Sequence, residues 1–371
     1  MRSRPADPPI IRHHVAGGTE QGGGIGRLVE HVVVSRETTL AHRAVDTRGP
    51  RFHPVGSILP FARAIRTIVA DALNPRPTLQ HLHVAGRGST VRKTVLATVA
   101  RIVGQPYVLH LHDYDYASDL DRRPRWQRAA VASAFRNAAA VIALGRRDAA
   151  TLADRLGVAP ERLTVLRNCV PVPPETAPAT SGATARILFL GTLGARKGVP
   201  ELVAALAHPA MRTQTWRATL AGDGAVDQFR AEVARRGLAD RVRLPGWVGS
   251  EETARLRADA DILVLPSHAE GFAMAVIEGL AHGLAVVTTR VGAHDEVLVD
   301  GENCLLVAPG DVDGLAGALA RLAGDPALRQ RLGEAGRALY ARHFRLSPYL
   351  RDLERLHREA LTDASAQTRS A

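Results

Sequence analysis

The sequence predicts an α/β protein built from two doubly wound parallel-sheet domains. Three observations carry this expectation. The 371 residues exceed one typical domain and suit two of moderate size. Short β-branched and leucine-rich runs recur, each closed by turn residues and followed by a helix-forming stretch, which is the pattern of parallel strands buried on both faces. A Pro-, Thr-, Ser- and Ala-rich segment at residues 171–185 then divides the chain as a linker. The expected organisation is a disordered leader at 1–9, a first domain at 10–170, the linker, a second domain at 186–344, a helix at 345–361 crossing back onto the first domain, and a flexible tail at 362–371.

Composition narrows the class. With 46% hydrophobic and 23% charged residues the chain can bury a sizeable core. Two cysteines, Cys169 and Cys304, lie far apart without CxxC spacing, so neither a disulfide framework nor a zinc site is expected, and a reducing cytoplasm suits the chain. Pro5, Pro8 and Pro9 stand where a signal peptide needs its apolar run, and no apolar stretch approaches the length of a membrane span. The net charge of +11 is uneven: residues 1–180 carry 25 Lys+Arg against 14 Asp+Glu, and the remainder 23 against 23. A basic first half suits anionic lipid headgroups at the inner face of a membrane or a lipid-diphosphate acceptor. Nucleic acid is not expected, because aromatics are 4% of residues and no dense basic run occurs.

In the first domain, Ile10-Ile11-Arg12-His13-His14-Val15 reads as a strand more polar than a central strand should be. Gly22-Gly23-Gly24-Ile25-Gly26 opens a helix, and its glycines let backbone N–H groups approach a phosphate. Arg27 stands where the third glycine of a dinucleotide fingerprint would be, which argues against a dehydrogenase. A strand at 38–45 and a helix at 58–72 follow. Leu79-Gln80-His81-Leu82-His83 and Val108-Leu109-His110-Leu111-His112 are strands whose His-x-His pairs each project to one side. No metal is expected there, for want of acidic or cysteine ligands at metal-site spacing. Arg87, Ser89, Arg92 and Lys93 at a helix start make either an anion pocket suited to an acceptor phosphate or an ordinary solvated cap. Trp126 is the aromatic anchor of a charged stretch at 119–128, and helices and strands alternate to residue 166.

The second domain opens with the strand Arg186-Ile187-Leu188-Phe189-Leu190. The turn after it carries Arg196 and Lys197 between Gly194 and Gly198, a forked donor beside a point charge that can clamp a diphosphate. The strand at 260–265 closes on Pro266-Ser267, Glu270 sits on the following loop, and a helix is expected over 272–281. Eight helical residues span about 12 Å, so Glu270 and Glu278 suit the two hydroxylated ends of a nucleotide sugar, with the diphosphate at the helix N-terminus between them.

Leu265-Pro266-Ser267, Glu270-Gly271-Phe272 and Glu278-Gly279-Leu280-Ala281, with the Arg196-Lys197 turn, resemble the signature of the large retaining nucleotide-sugar glycosyltransferase family four. The likeness runs through roughly 15–361 and is strongest over 186–307. It implies a GT-B fold, two facing Rossmann-like domains with a deep interdomain cleft. It further implies metal-independent transfer of a sugar from a UDP- or GDP-sugar to a hydroxyl of a glycan or lipid-diphosphate-linked acceptor, in exopolysaccharide or cell-envelope synthesis. Arg196 and Lys197, with the helix N-terminus at Phe272, would then hold the donor phosphates, Glu270 the sugar, Glu278 the ribose and the backbone near Val248 the base, with Gly271 and Ala273 also against the donor. Gly23 and Gly24 would lie against donor and acceptor. His112, with His110 as the alternative, takes the place of the family's first-domain histidine near sugar and acceptor. Departures are Cys169 and Cys304 at usual glycine positions and Ala285 at a usual proline. A nucleotide-sugar epimerase of the same fold and a non-catalytic nucleotide-sugar-binding partner remain open alternatives.

Overall fold

The computed structural model describes residues 7–174 and 184–370. Residues 1–6 of the expected leader and 175–183 of the expected linker lie outside the described residues. Two compact units result: unit 1 takes Met1–Pro171 together with Leu346–Ala371, and unit 2 takes Val172–Arg345.

Unit 1 carries six parallel strands: β1 (Ile10–Val15), β2 (Ala41–Asp46), β3 (Thr78–Val84), β4 (Tyr107–Leu111), β5 (Ala140–Ala143) and β6 (Leu163–Val165), in the order β2-β1-β3-β4-β5-β6. The order reverses between β1 and β3, the switch point of a flavodoxin-like sheet. One face of the sheet packs Leu82, Val84, Leu109 and Leu111 against the helices Ile58–Ala72, Arg87–Ile102 and Arg125–Arg136. The other face begins apolar, with Ile11, Leu79 and Val108 against Tyr349, Leu350 and Leu353 of the terminal helix Leu346–Ser370. Towards the strands' carboxyl ends the same alternation brings histidines onto that face. That helix also runs through the segment expected as a flexible tail.

Some local expectations are corrected. The second strand begins at Ala41 rather than residue 38, because Thr38 and Thr39 turn their hydroxyls to His42, the Leu40 N–H and Glu354. Trp126 is 70% exposed and anchors nothing in the core. The polar β1 is a true interior strand, since its histidines and arginine all find partners within the unit.

Unit 2 carries β7 (Ala185–Leu190), β8 (Trp216–Ala221), β9 (Val242–Gly246), β10 (Ile262–Leu265), β11 (Ala285–Thr289) and β12 (Leu305–Val307). The sheet is parallel throughout, in the order β12-β11-β10-β7-β8-β9. Renumbered from its own first strand this is 3-2-1-4-5-6, the dinucleotide-binding order, with its switch point between β7 and β10. No helix among the described residues is long and apolar enough to cross a membrane.

Candidate active site

In unit 2 the loops after β7 and β10 leave the sheet at the switch point, and they are laced together there. The His268 N–H donates to the Arg196 carbonyl at 2.8 Å, and Arg196 Nη1 donates to the Ala269 carbonyl at 2.9 Å. Lys197 Nζ then donates to Glu270 Oε1 at 2.6 Å, with Arg196 Nη1 at 3.6 Å from the same oxygen. Two glycines make this approach possible. Gly198 has φ +68°, and a Cβ there would fall 2.0 Å from the Pro266 carbonyl oxygen; Gly292 has φ +57°, and its Cβ would fall 1.9 Å from the Glu270 carbonyl oxygen. A side chain at Gly198 would push the loop after β7 off the loop after β10, and one at Gly292 would push the loop after β11 off Glu270.

Glu270 is 7% exposed. Burial alone would raise its pKa, but the Lys197 charge and hydrogen bond, with Arg196 behind them, outweigh it and hold the carboxyl below its ordinary value. The group is therefore an anion at neutral pH, with Lys197 drawn onto it while Arg196 stays 43% exposed at its side chain. Cations and carboxylate, expected from the sequence at separate parts of a ligand, lie together as one cluster in this structure.

The helix after this loop spans Met274–Ala281, two residues later than expected. Its delay has a physical cause in His294, whose Nδ1 faces the Thr289 carbonyl at 3.1 Å and whose Nε2 accepts the Ala273 N–H at 3.3 Å. Phe272 is 3% exposed and packs edge-on against His294 and at a tilt against Phe344. The Phe272 ring and the Ala273 N–H are thus engaged within the unit, while the first turn of the helix, Met274 and Ala275, has no side-chain cap. Glu278, on the same helix, is 8% exposed and takes Arg257 Nη1 on Oε2 at 3.0 Å. Val248 lies half-buried on the loop after β9, beside an exposed Trp247.

Unit 1 places its expected residues unequally. Gly23 and Gly24 form the first turn of the helix Gly23–Val34, which also lacks a side-chain cap. The preceding turn is the one that walls a cavity of about 330 Å³, lined by Gly17, Gly18, Thr19, Gln21 and Asp46. Asp46 Oδ1 accepts the Gly17 N–H at 2.8 Å and so ties that turn to β2, a link that sequence separation hid.

The expected anion pocket around residues 87–93 is not assembled as such. Arg87 is exposed and Arg92 half-buried, but Ser89 Oγ accepts the Ala85 N–H at 3.2 Å. Lys93 is 1% exposed, and its Nζ donates to Thr47 Oγ1 at 2.7 Å. Burial first, then the Arg92 charge, lower its pKa from 10.5 to about 7. Lys93 sits on the core-facing side of its helix, where helical periodicity and not solvent decides its surroundings. His110 is likewise fully buried and cannot meet an acceptor, whereas His112 is half-buried. Burial lowers the His112 pKa to about 3, so its imidazole is neutral.

Fold and site together define an α/β protein of two units, each built on a doubly wound parallel sheet. Residues 184–325 match the family described as glycosyl transferases group 1, and residues 20–169 match the glycosyl transferase 4-like domain. A 2-deoxystreptamine glucosyltransferase from Streptomyces kanamyceticus is 30% identical over 264 residues, 66% of this chain and 68% of that protein. A glycogen synthase from Mycobacterium tuberculosis is 33% identical over 178 residues, 47% of this chain, and the match spans 43% of the synthase. Among solved structures, HepE from Anabaena in complex with UDP and glucose is similar at a TM-score of 0.72 and 19% identity, covering 93% of this chain and 98% of that one. The chain belongs to the group 1, family-four glycosyltransferases, and its two doubly wound sheets are those of the GT-B fold.

Proposed function

We propose that this chain is a retaining glycosyltransferase that moves a sugar from a UDP-sugar to a hydroxyl of a glycan or lipid-diphosphate-linked acceptor in cell-envelope or exopolysaccharide synthesis. The observation that carries the reading is the cluster of Arg196, Lys197 and Glu270 at the β7/β10 switch point, with Glu278 one helix further on. Switch points of such sheets are where nucleotides bind, and a cation pair beside a buried carboxylate suits a diphosphate joined to a sugar. The UDP and glucose bound to Anabaena HepE support the choice of base.

In this mechanism Arg196 and Lys197, with the Met274 and Ala275 N–H groups, neutralise charge as the anomeric carbon–oxygen bond breaks and its electron pair passes to the diphosphate. Glu270 accepts hydrogen bonds from sugar hydroxyls, and Glu278, held by Arg257, accepts those of the ribose. The acceptor oxygen bonds to the anomeric carbon on the face that the phosphate leaves. Its proton passes to a phosphate oxygen, and this same-face attack retains configuration without a protein nucleophile. Because protein cations neutralise the diphosphate, that step requires no metal. His112 donates a hydrogen bond that orients sugar or acceptor. Peripheral contact with an anionic membrane through unit 1 is supported by Phe52, Val55, Ile58 and Leu59, all more than half exposed, beside the exposed Arg51, Arg63 and Arg66.

Saturation-transfer NMR of the full chain with UDP-, GDP- and ADP-sugars tests the reading. Binding of UDP-sugars that Arg196→Ala and Glu278→Ala both abolish is expected. No binding across the panel overturns it. Consumption of a UDP-sugar to an isomer without any acceptor would instead favour the epimerase, and binding without turnover on any acceptor the non-catalytic partner.

A further inference from the structure

The face of the unit 1 sheet that packs on the terminal helix turns from aliphatic to imidazole along each strand. His42 (β2), His13 (β1), His81 and His83 (β3), His110 (β4), His112 just beyond it and His357 of the helix Leu346–Ser370 share that face. Register pairs His13 with His81 and His83 with His110. Adjacent rings along this array lie 3.9–5.4 Å apart between centroids. Such a concentration of polar rings in a buried layer needs a physical reason, since leucine would fill the same space without desolvation cost.

The nitrogens order themselves into two chains. One runs Thr38 Oγ1, His42, His13, His83, His112, through contacts of 3.2, 2.9, 3.1 and 2.9 Å. The other runs His357, His81, His110, through contacts of 2.9 and 3.3 Å. Three neutral imidazoles in a row hold three N–H groups and three lone pairs, and two contacts use two of each. One donor and one acceptor must stay unused at the ends, and the buried His357 Nδ1 and His110 Nε2 are indeed without a partner. Within this array His83, His110 and His112 each offer a nitrogen, all three within 4.8 Å of one another.

The geometry points to a metal site: His83, His110 and His112 bind a borderline divalent cation of the zinc class, with a fourth position open on the side of the half-buried His112. Three neutral imidazoles and one open position are a familiar ligand set for this cation. The surroundings supply the outer hydrogen bonds that such ligands require. With His83 Nδ1 on the cation, its Nε2–H donates to His13, His13 Nε2–H to His42, and His42 Nε2–H to Thr38. With His110 Nε2 on the cation, its orphaned acceptor gains a partner and its Nδ1–H donates to His81. His112 ligates through Nε2 and is fixed with its Nδ1–H outward, the tautomer that donates to a bound hydroxyl. The overlapping group His13, His81 and His83 is the weaker candidate, since all three are fully buried and both nitrogens of each are already paired.

This departs from the expectation of no metal: the ligands are drawn from the two His-x-His pairs themselves, and His13, His42 and His81 supply outer hydrogen bonds that spacing along the chain does not show. The cation would be held by residues of unit 1 and the diphosphate by residues of unit 2, so zinc uptake and UDP-sugar binding are separate readouts.

The test uses the untagged full chain, stripped with dipicolinate, then titrated with Zn²⁺ alone and followed by metal analysis and calorimetry. Stoichiometric uptake is expected, lost in His83→Gln and His110→Gln, weakened about 10–100-fold in His13→Gln as for other outer-shell partners, and unchanged in His282→Gln of unit 2. Co²⁺ uptake should give the visible bands of a four-coordinate site. Thermal unfolding and UDP-sugar binding of each variant show that it is folded and keep the donor site out of the comparison. Absence of uptake by the stripped wild type overturns the proposal. So does uptake that survives His110→Gln but not His13→Gln, which would move the cation to the other group, and so does uptake indifferent to His83 and His110.

Discussion

Lys197 Nζ lies 2.6 Å from Glu270 Oε1, and the pair joins loops that leave β7 and β10 at the sheet's switch point. Both side chains are largely buried, so neither can lose the other cheaply. Removing one partner of such a pair strands a charge in a low-dielectric site, at a cost of about 3–5 kcal/mol when nothing else compensates.

Lys197→Met should therefore destabilise unit 2, by somewhat less than that because Arg196 is 3.6 Å from the same oxygen. The double variant Lys197→Met/Glu270→Gln should recover much of the loss, and a double-mutant cycle in denaturant unfolding measures it. The pH dependence has a definite sign. The folded Glu270 carboxyl is held below 4.5, so its contribution is present above 4.5 and is lost as pH falls through the lower folded value. The difference between wild type and Glu270→Gln should shrink over that window and be flat above it.

Glu278→Ala leaves the Arg257 guanidinium, 8% exposed, without this carboxylate. Stability and UDP-sugar affinity should both fall, affinity by more than about tenfold, or 1.4 kcal/mol. Replacing both, as Glu278→Leu/Arg257→Leu, should restore much of the stability but none of the affinity. Recovery of both by the double variant would contradict a ribose-binding role for Glu278.

Lys93→Met keeps the shape of a buried side chain and removes its amine. The lysine pKa falls from 10.5 to about 7 on folding, so the unfolded chain binds more protons between those values. Each unit of such a shift costs about 1.4 kcal/mol. The variant should be more stable than wild type at pH 7, by up to a few multiples of that amount, and the advantage should shrink as pH rises towards 10.5. Thermal unfolding of both chains at a series of pH values checks it. Loss of acceptor binding without that gain would return Lys93 to the anion pocket its helix position suggested.

His13, His81 and His357 have pKa values well below 6.5, and His42 a value of about 4, in each case chiefly through burial. Groups depressed on folding contribute stability that is present above 6.5 and is lost as pH falls towards the folded values. Each adds up to about 1.4 kcal/mol per pH unit to that slope. Chelator-treated protein should lose unit 1 structure steeply below about pH 6, and replacing His13, His42, His81 and His357 together by leucine should flatten the acid limb seen by circular dichroism.

The fold was legible because it is written in local patterns. Runs such as Ile262-Leu263-Val264-Leu265 have one comfortable environment, a strand covered on both faces, and their spacing with helices leaves a doubly wound sheet as the natural packing. Glu270, Glu278, Arg196 and Lys197 were legible as polar groups at loop and helix positions where such sheets bind ligands. Less legible was what each would touch. The Met274 start of its helix depends on His294, twenty-one residues from Ala273, and no helix propensity encodes that. Burial of Lys93 follows from which side of its helix meets the sheet.

The sequence by itself determined the class: two α/β domains, a GT-B transferase signature, and a carboxylate pair beside an arginine and a lysine. These depend on periodicity and on short motifs, which are properties of neighbouring residues. Tertiary structure alone decided that Lys197 closes on Glu270, that Arg257 holds Glu278, and that histidines from β1, β2, β3, β4 and the last helix converge on one face. His81 and His357 are 276 positions apart in the chain and 2.9 Å apart between ring nitrogens. Only the packing of a terminal helix onto the first sheet brings them together, because side-chain chemistry acts over a few ångströms of space and is indifferent to distance along the chain.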